Sequence, residues 1–173
     1  MDVADLLTDA FGRVQEVVHH AVEGLSDEQL AERPDPDANS IAWMVWHLTR
    51  VQDDHIAGVA GTEQVYTSEG FDERFDLPFD PSEHGYGHSS EEVGEVRAGA
   101  ELIVAYYDAV HAATLAFVRG LGPQDLERIV DTRFDPPVTL GVRLVSVIAD
   151  DLQHAGQSAY LRGLIERAGH PRT

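Results

Sequence analysis

Along the 173-residue chain, stretches whose apolar residues return every three to four positions alternate with short breaks rich in Gly, Pro and Asp. From Val3 to Glu23, residues Leu6, Leu7, Ala10, Val14, Val17, Val18, Ala21 and Val22 recur at helical spacing, and Gly24 supplies the stop. Ser26-Asp27-Glu28-Gln29 reads as a capping box that opens one short helical turn, which Pro34 and Pro36 keep from continuing. A second long helix is predicted to start after Asn39 or Ser40, with Ile41, Met44, Val45, Leu48 and Val51 on one face, and to fade near Gly58 and Gly61. Residues 61–88 show no sustained period and hold Gly70, Pro78, Pro81, Gly85 and Gly87, so they are predicted as a long loop. Its aromatic content (Tyr66, Phe71, Phe75, Phe79 and Tyr86) predicts that it packs onto the body. A second capping box, Ser89-Ser90-Glu91-Glu92, opens a third helix through Val93, Val96, Ala100, Ile103, Tyr107, Val110 and Val118 to Gly120. The fourth follows Pro136-Pro137 with Thr139 as its cap, runs from Leu140 to about Arg167, and is closed by His170-Pro171.

A short echo links the halves: Gly24-Leu25 with Asp27, Glu28 and Leu30 resembles Gly120-Leu121 with Gln124, Asp125 and Leu126. Each half reads long helix, Gly-Leu, helical turn, Pro-containing loop, long helix. Two such αα-hairpins packed face to face make an all-α four-helix bundle, here one domain over residues 1–173 with a long crossover between helices 2 and 3.

Composition narrows the partners. Thirty-one acidic residues against twelve basic ones, every one of these Arg, give a formal charge of −19. That field repels phosphate backbones and anionic membrane surfaces, so neither nucleic acid nor a membrane is expected as partner. No apolar run approaches the roughly 20 residues that span a bilayer, and the acidic N-terminus lacks a secretory signal's basic region. With no cysteine there is no disulfide framework, no thiolate metal site and no cysteine nucleophile. The expected address is the cytoplasm.

Candidate chemistry lies where polar residues interrupt apolar faces. In the fourth helix Asp151 falls near the middle of the stripe made by Leu140, Leu144, Val147, Ile148, Ala155, Ser158 and Ile165. His154 lies inside the stripe and Asp150 on its flank. A carboxylate turned toward a core is costly unless something compensates it. Asp150 and His154, at i and i+4, can reach one ion together; Asp151 and His154, at i and i+3, are nearly as well placed. In the second helix His47 borders the apolar stripe, and Asp54, two turns later at almost the same angle, is positioned to orient it. The bland readings are an intrahelical hydrogen bond for Asp150 and His154, and a solvated acidic face for Asp53. His19, His20, His111 and His170 show no partner at useful spacing and read as surface residues. Trp43 and Trp46 read as packing against the crossover, and His84-Gly85-Tyr86-Gly87-His88 as a cover for the site.

Two segments, Asn39-Ser40-Ile41-Ala42-Trp43-Met44-Val45-Trp46-His47-Leu48 and Asp150-Asp151-Leu152-Gln153-His154-Ala155-Gly156-Gln157, resemble the signature helices of the DinB-like (YfiT-like) superfamily. That superfamily includes the metal-binding domain of mycothiol-dependent maleylpyruvate isomerase. The resemblance implies one divalent metal ion on His47, Asp150 and His154. Many members have His at the position of Asp150, whereas the isomerase has a carboxylate. Helical angles favour Asp151 as the more inward residue, so both stay open as the carboxylate ligand. Zn²⁺ and Ni²⁺ both suit two imidazoles and a carboxylate. Three protein ligands leave an open position, the arrangement of a catalytic site.

Similarity to mycothiol- and bacillithiol-dependent members implies a metal-dependent S-transferase, in which a low-molecular-weight thiol arrives as cosubstrate and attacks a small electrophile. Asp54 and Asp151 would serve the reaction beside the ligands, with the loop around Tyr86 and His88 as a gate. A metal-dependent hydrolase and a non-catalytic, stress-related metal-binding protein are the alternatives. Bundles of this family often dimerise, but no exposed stripe for a homodimer can be picked out of the sequence.

Overall fold

The computed structural model describes residues 1–168. Four long helices, α1 (Val3–Val22), α3 (Ile41–Ala60), α7 (Ala100–Val118) and α8 (Leu140–Ala168), form the bundle, with α1 and α3 each packed on both α7 and α8. The all-α reading of the sequence holds. Most helix starts fall where capping chemistry puts them. Ser26 caps α2 (Asp27–Leu30) in a reciprocal box with Gln29, and Ser40, not Asn39, caps α3 by accepting from Trp43 N at 3.1 Å. Thr139 Oγ1 accepts from Val142 N at 3.3 Å, as a cap of α8 should. The predicted closure at His170-Pro171 lies outside the described residues.

Three stretches differ from the sequence reading. The crossover 61–88 contains two short helices, α4 (Val65–Ser68) and α5 (Phe71–Phe75), each too brief to leave a period. Tyr66, Phe71 and Phe75 are buried, as an ordered crossover requires, but Tyr86 points to solvent. The third helix is not continuous: α6 (Ser90–Glu95) stops before Val96, whose backbone is extended, and α7 begins after Gly99. Val96 leaves the helical path to enter the core at 1% exposure, and Gly99 lets the chain approach Asp27, whose Oδ1 lies 3.0 Å from where a Cβ would sit. Between α7 and α8, a 3₁₀ turn at Asp125–Glu127 leads into a small antiparallel hairpin, β1 (Ile129–Asp131) and β2 (Val138–Thr139), too short to be legible.

By length and composition alone α7, 19 residues of mean hydropathy 1.3, could cross a membrane. Here it is a core helix of the bundle, burying Ile103, Tyr106, Tyr107, Val110, Thr114 and Val118.

The core falls into two apolar clusters, one around Trp46, Tyr107 and Ala155, the other around Phe11, Ile56 and Val147. On α8 the passage from Val147 to Ala155 crosses Asp150, Asp151 and His154. On α3 the passage from Leu48 to Ile56 crosses Arg50, Gln52 and Asp53. A polar layer therefore separates two hydrophobic ones.

Candidate metal centre

His47, on α3, and Asp150 with His154, on α8, offer donor atoms that all lie within 4.8 Å of one another. His47 Nε2 stands 3.9 Å from Asp150 Oδ2, and His154 Nε2 stands 3.9 Å from Asp150 Oδ1. The outer nitrogens are committed elsewhere. His47 Nδ1 meets the His84 carbonyl oxygen at 2.5 Å, and a carbonyl can only accept, so Nδ1 carries the proton and Nε2 a lone pair. His154 Nδ1 likewise donates to Gln157 Oε1 at 3.1 Å, one turn along the same helix. Trp43 stacks on the His47 ring at 4.6 Å with planes 11° apart, and the His154 ring meets His47 edge-on at 4.8 Å.

The cluster is thus two imidazole lone pairs and a carboxylate with no hydrogen between them. Burial is the main force holding the His47 pKa down to about 4, against the raising effect of the His84 carbonyl, so the ring is neutral near neutral pH. Asp150 Oδ2 is buried with no hydrogen-bond partner among the described residues. Acceptors facing acceptors repel, and a cation placed among them removes the repulsion and satisfies all three. Donors held about 2.1 Å from one tetrahedral ion stand roughly 3.4 Å apart, so the 3.9 Å pairs need a small contraction and the full donor set, spread over up to 4.8 Å, a larger one. The residues fit a divalent metal ion.

Several expectations about the neighbours change. Asp151 is the more inward residue, as helical angles indicate, but at 0% exposure it lies behind the site, and neither carboxylate oxygen has a hydrogen-bond partner among the described residues. Burial, then the adjacent Asp150 charge, push its pKa well up. A group so enclosed does not meet a substrate, and it is Asp150 that shares the cluster with both His rings. Nor does Asp54 orient His47, since His84 does. Asp54 accepts instead from Gln64 Nε2 at 2.8 Å and sits 3.6 Å from His55 Nδ1.

Asp53 is not on a solvated face. At 2% exposure it accepts from Val65 N (2.9 Å), Tyr66 N (2.8 Å) and the Tyr106 hydroxyl (2.9 Å), thereby capping α4. His111 is buried beside Tyr107, whereas His19, paired with Asp108 at 2.7 Å, and His20 are exposed as expected. His170 lies outside the described residues.

The cover comes from the crossover, and glycine makes it possible. Gly85 has φ +90°, and a Cβ there would fall 2.9 Å from His47 Nδ1 and 3.0 Å from the Trp46 ring. Trp43 Nε1 donates to His88 Nδ1 at 3.2 Å, and His88 packs on Phe79 and Trp46, so both tryptophans do meet the crossover. Trp43 also lines the site. The segment is anchored by Arg50, fully buried on α3. Its guanidinium donates to the carbonyls of Glu83 (3.1 Å) and Pro81 (2.8 Å), to Gln64 Oε1 (2.7 Å) and to the Tyr106 hydroxyl (3.3 Å), and lies 3.7 Å from Asp53. Sequence reading missed this anchor, although an Arg among apolar residues on α3 was a usable signal.

Further along the α3–α8 seam, two turns from His47 and Asp150, a polar recess of about 290 Å³ is lined by Asp54, His55, Asp131, Arg133 and Arg143. Arg143 reaches both Asp131 (3.0 Å) and the His55 ring (3.3 Å). Burial first, then Arg143, hold the His55 pKa below its ordinary value.

Fold and site together define a helical bundle with a candidate divalent-metal centre built from side chains on facing helices. The family model of the DinB superfamily matches residues 10–158, and the chain belongs to that superfamily. No functionally curated protein matches it. Among solved structures it is similar to a conserved protein of locus from Enterococcus faecalis, at 28% sequence identity and a TM-score of 0.88, covering 95% of this chain and 98% of that one.

Proposed function

We propose that the protein is a metal-dependent enzyme of the cytoplasm that joins a low-molecular-weight thiol of the mycothiol or bacillithiol kind to a small electrophile. The observation that carries the metal is the convergence of His47 Nε2 and His154 Nε2 on the Asp150 carboxylate, whose Oδ2 is unpartnered among the described residues. Zn²⁺ or Ni²⁺ bound there supplies a Lewis acid that lowers the pKa of a thiol or water entering the open position. The thiol must come from outside, because the chain has no cysteine.

The chain's own residues supply placement. His84 and Gln157 hold the two imidazoles in the tautomer that presents Nε2, and Trp43 fixes the plane of His47. Gly85 brings the crossover down onto the rings and limits water on that side. The recess at Asp54, His55, Arg133 and Arg143 receives the polar remainder of a thiol or substrate, which gives Asp54 a binding role.

The test combines metal content with turnover. Purified protein is expected to carry one divalent ion per chain by elemental analysis, and His47→Ala and His154→Ala to carry far less. Metal-loaded protein incubated with monochlorobimane should give product only when mycothiol or bacillithiol is added. Equal metal in all three proteins would remove the site. Turnover of hydrolysable esters or amides without thiol would leave the metal and replace the thiol reading with hydrolysis.

A further inference from the structure

Along the α3–α8 seam a recess lies on each side of the candidate metal centre. His55 meets Arg143, His47 meets Asp150, and Met44 shares a pocket with Leu161 and Leu164, so the two helices run antiparallel. On α8, residues Arg143, Asp150, His154, Gln157, Leu161 and Leu164 fall within an arc of about 80° at 100° per residue. They mark one continuous face with the metal donors near its middle. At one end is the polar recess of Asp54, His55, Asp131, Arg133 and Arg143; at the other is a pocket of about 320 Å³. The second has a different chemistry. Met44 and Leu161, 3% and 5% exposed, form its floor, with Leu164 half-buried beside them and Pro34 and Tyr160 exposed at its mouth. Among the described residues its lining holds no Arg or His, and its one acid, Asp37, is exposed and screened by solvent.

We propose that this pocket takes the apolar body of the molecule that reacts at the metal centre, an uncharged electrophile carrying an aliphatic or aromatic group. The assignment rests on the thiol-transfer reading, in which two molecules must reach one ion from different sides. A sugar-based thiol is polar along its length and matches the polar recess, which leaves the apolar pocket to its reaction partner. An anionic group is disfavoured there, because the lining offers no cation and the whole chain carries a charge of −19.

The pocket is within reach of the reacting atoms. Met44 precedes His47 by about one turn, and Gln157, whose Oε1 holds the His154 ring, is itself part of the pocket wall. At 1.5 Å per residue the pocket begins about 5 Å along α8 from His154, at Gln157, and ends about 15 Å from it, at Leu164. Its side chains suit an apolar guest of variable shape. The Met44 thioether is polarisable and adapts to what it meets, and Tyr160, 69% exposed, offers a ring face that a bound group would cover. The metal donors thus sit between a polar and an apolar end of one seam, and the apolar end sets which electrophiles are accepted.

Calorimetric titration of the metal-loaded protein with acetohydroxamate and hexanohydroxamate, chelators that differ only in their alkyl tail, reads the pocket without turnover. The longer tail should bind about tenfold tighter or more, from the burial of its further methylenes. A terminal carboxylate on that tail, as in adipic acid monohydroxamate, should remove the gain. Tyr160→Ala and Leu164→Gln should keep the wild-type melting temperature, metal content and affinity for acetohydroxamate, and lose most of the gain. With a thiol present, the same variants should raise KM for monochlorobimane and leave kcat in place. Equal affinity of the wild type for the two hydroxamates overturns the proposal, and so does a gain that both variants retain. A protein that takes up no divalent ion overturns it together with the metal reading. A gain that the variants lose, in a protein that never joins thiol to electrophile, supports the pocket as the apolar end of the site and removes the transfer reading alone.

Discussion

Helix α3 carries two buried polar clusters one turn apart, and they are built on opposite principles. Around Arg50 every guanidinium nitrogen finds an acceptor, among carbonyls of the crossover, Gln64 and the Tyr106 hydroxyl, with the Asp53 carboxylate nearby. Around His47 the outer nitrogen is satisfied, but the inner lone pairs of His47, His154 and Asp150 face one another with no proton between them. A closed network needs nothing further and rigidifies what it touches. An open one of like-disposed acceptors is what a cation would complete, and that distinguishes a candidate ligand site from a structural knot. The two cooperate, since the crossover segment that Arg50 anchors at Pro81 and Glu83 leads directly into the His84 carbonyl that sets the His47 tautomer.

Four measurements would break or sharpen this contrast. Arg50→Ala should have the largest effect, about 3–5 kcal/mol in urea unfolding, because it leaves the buried Asp53 uncompensated and frees the crossover. Gly85→Ala should rank next. The left-handed backbone costs about 1–3 kcal/mol with a side chain, and the intrusion on His47 should weaken metal binding at least tenfold by titration. Gly87→Ala, at φ +81° with nothing nearby, should show the strain and keep the affinity. His154→Ala should abolish metal binding yet leave the melting temperature of metal-free protein within a few degrees of wild type, because it relieves repulsion among acceptors. A metal-free loss as large as that of Arg50→Ala would make the cluster structural and collapse the comparison.

The smallest effect is on pH dependence. A His47 pKa held to about 4 means that the unfolded chain binds a proton between its ordinary value of 6.5 and 4 while the folded chain does not. Metal-free stability should therefore fall as pH drops through that window, and His47→Gln should flatten the slope. An identical slope in the variant would assign the effect to other groups, such as His55.

Helix starts and the shared helix face of the candidate ligands Asp150 and His154 were legible because each is a local statement, whereas the joining of His47 to them was what the family resemblance implied. Capping at Ser26, Ser40 and Ser89 needs only three residues of context, and the i, i+4 spacing of Asp150 and His154 fixes a shared helix face. Roles set across the chain were not legible. Nothing near Asp53 tells that two backbone amides twelve and thirteen residues later will meet its carboxylate. Nothing near His47 names the His84 carbonyl, 37 residues away, as its partner, and periodicity pointed to Asp54 instead. The choice between Asp150 and Asp151 turned on accessibility. The more inward residue is the sealed one, and the flank residue keeps a route to solvent. The break at Val96 was hidden because Val93, Val96 and Ala100 continue a helical period that the backbone abandons.

The distance along the chain between the donors has a temporal consequence. His47 leaves the ribosome about a hundred residues before Asp150 and His154. A nascent or C-terminally truncated chain therefore presents a single imidazole, too weak a grip to sequester an ion. A cation bound there would close the assembly order, acting as a latch on the finished molecule whose strength would grow with the logarithm of available metal.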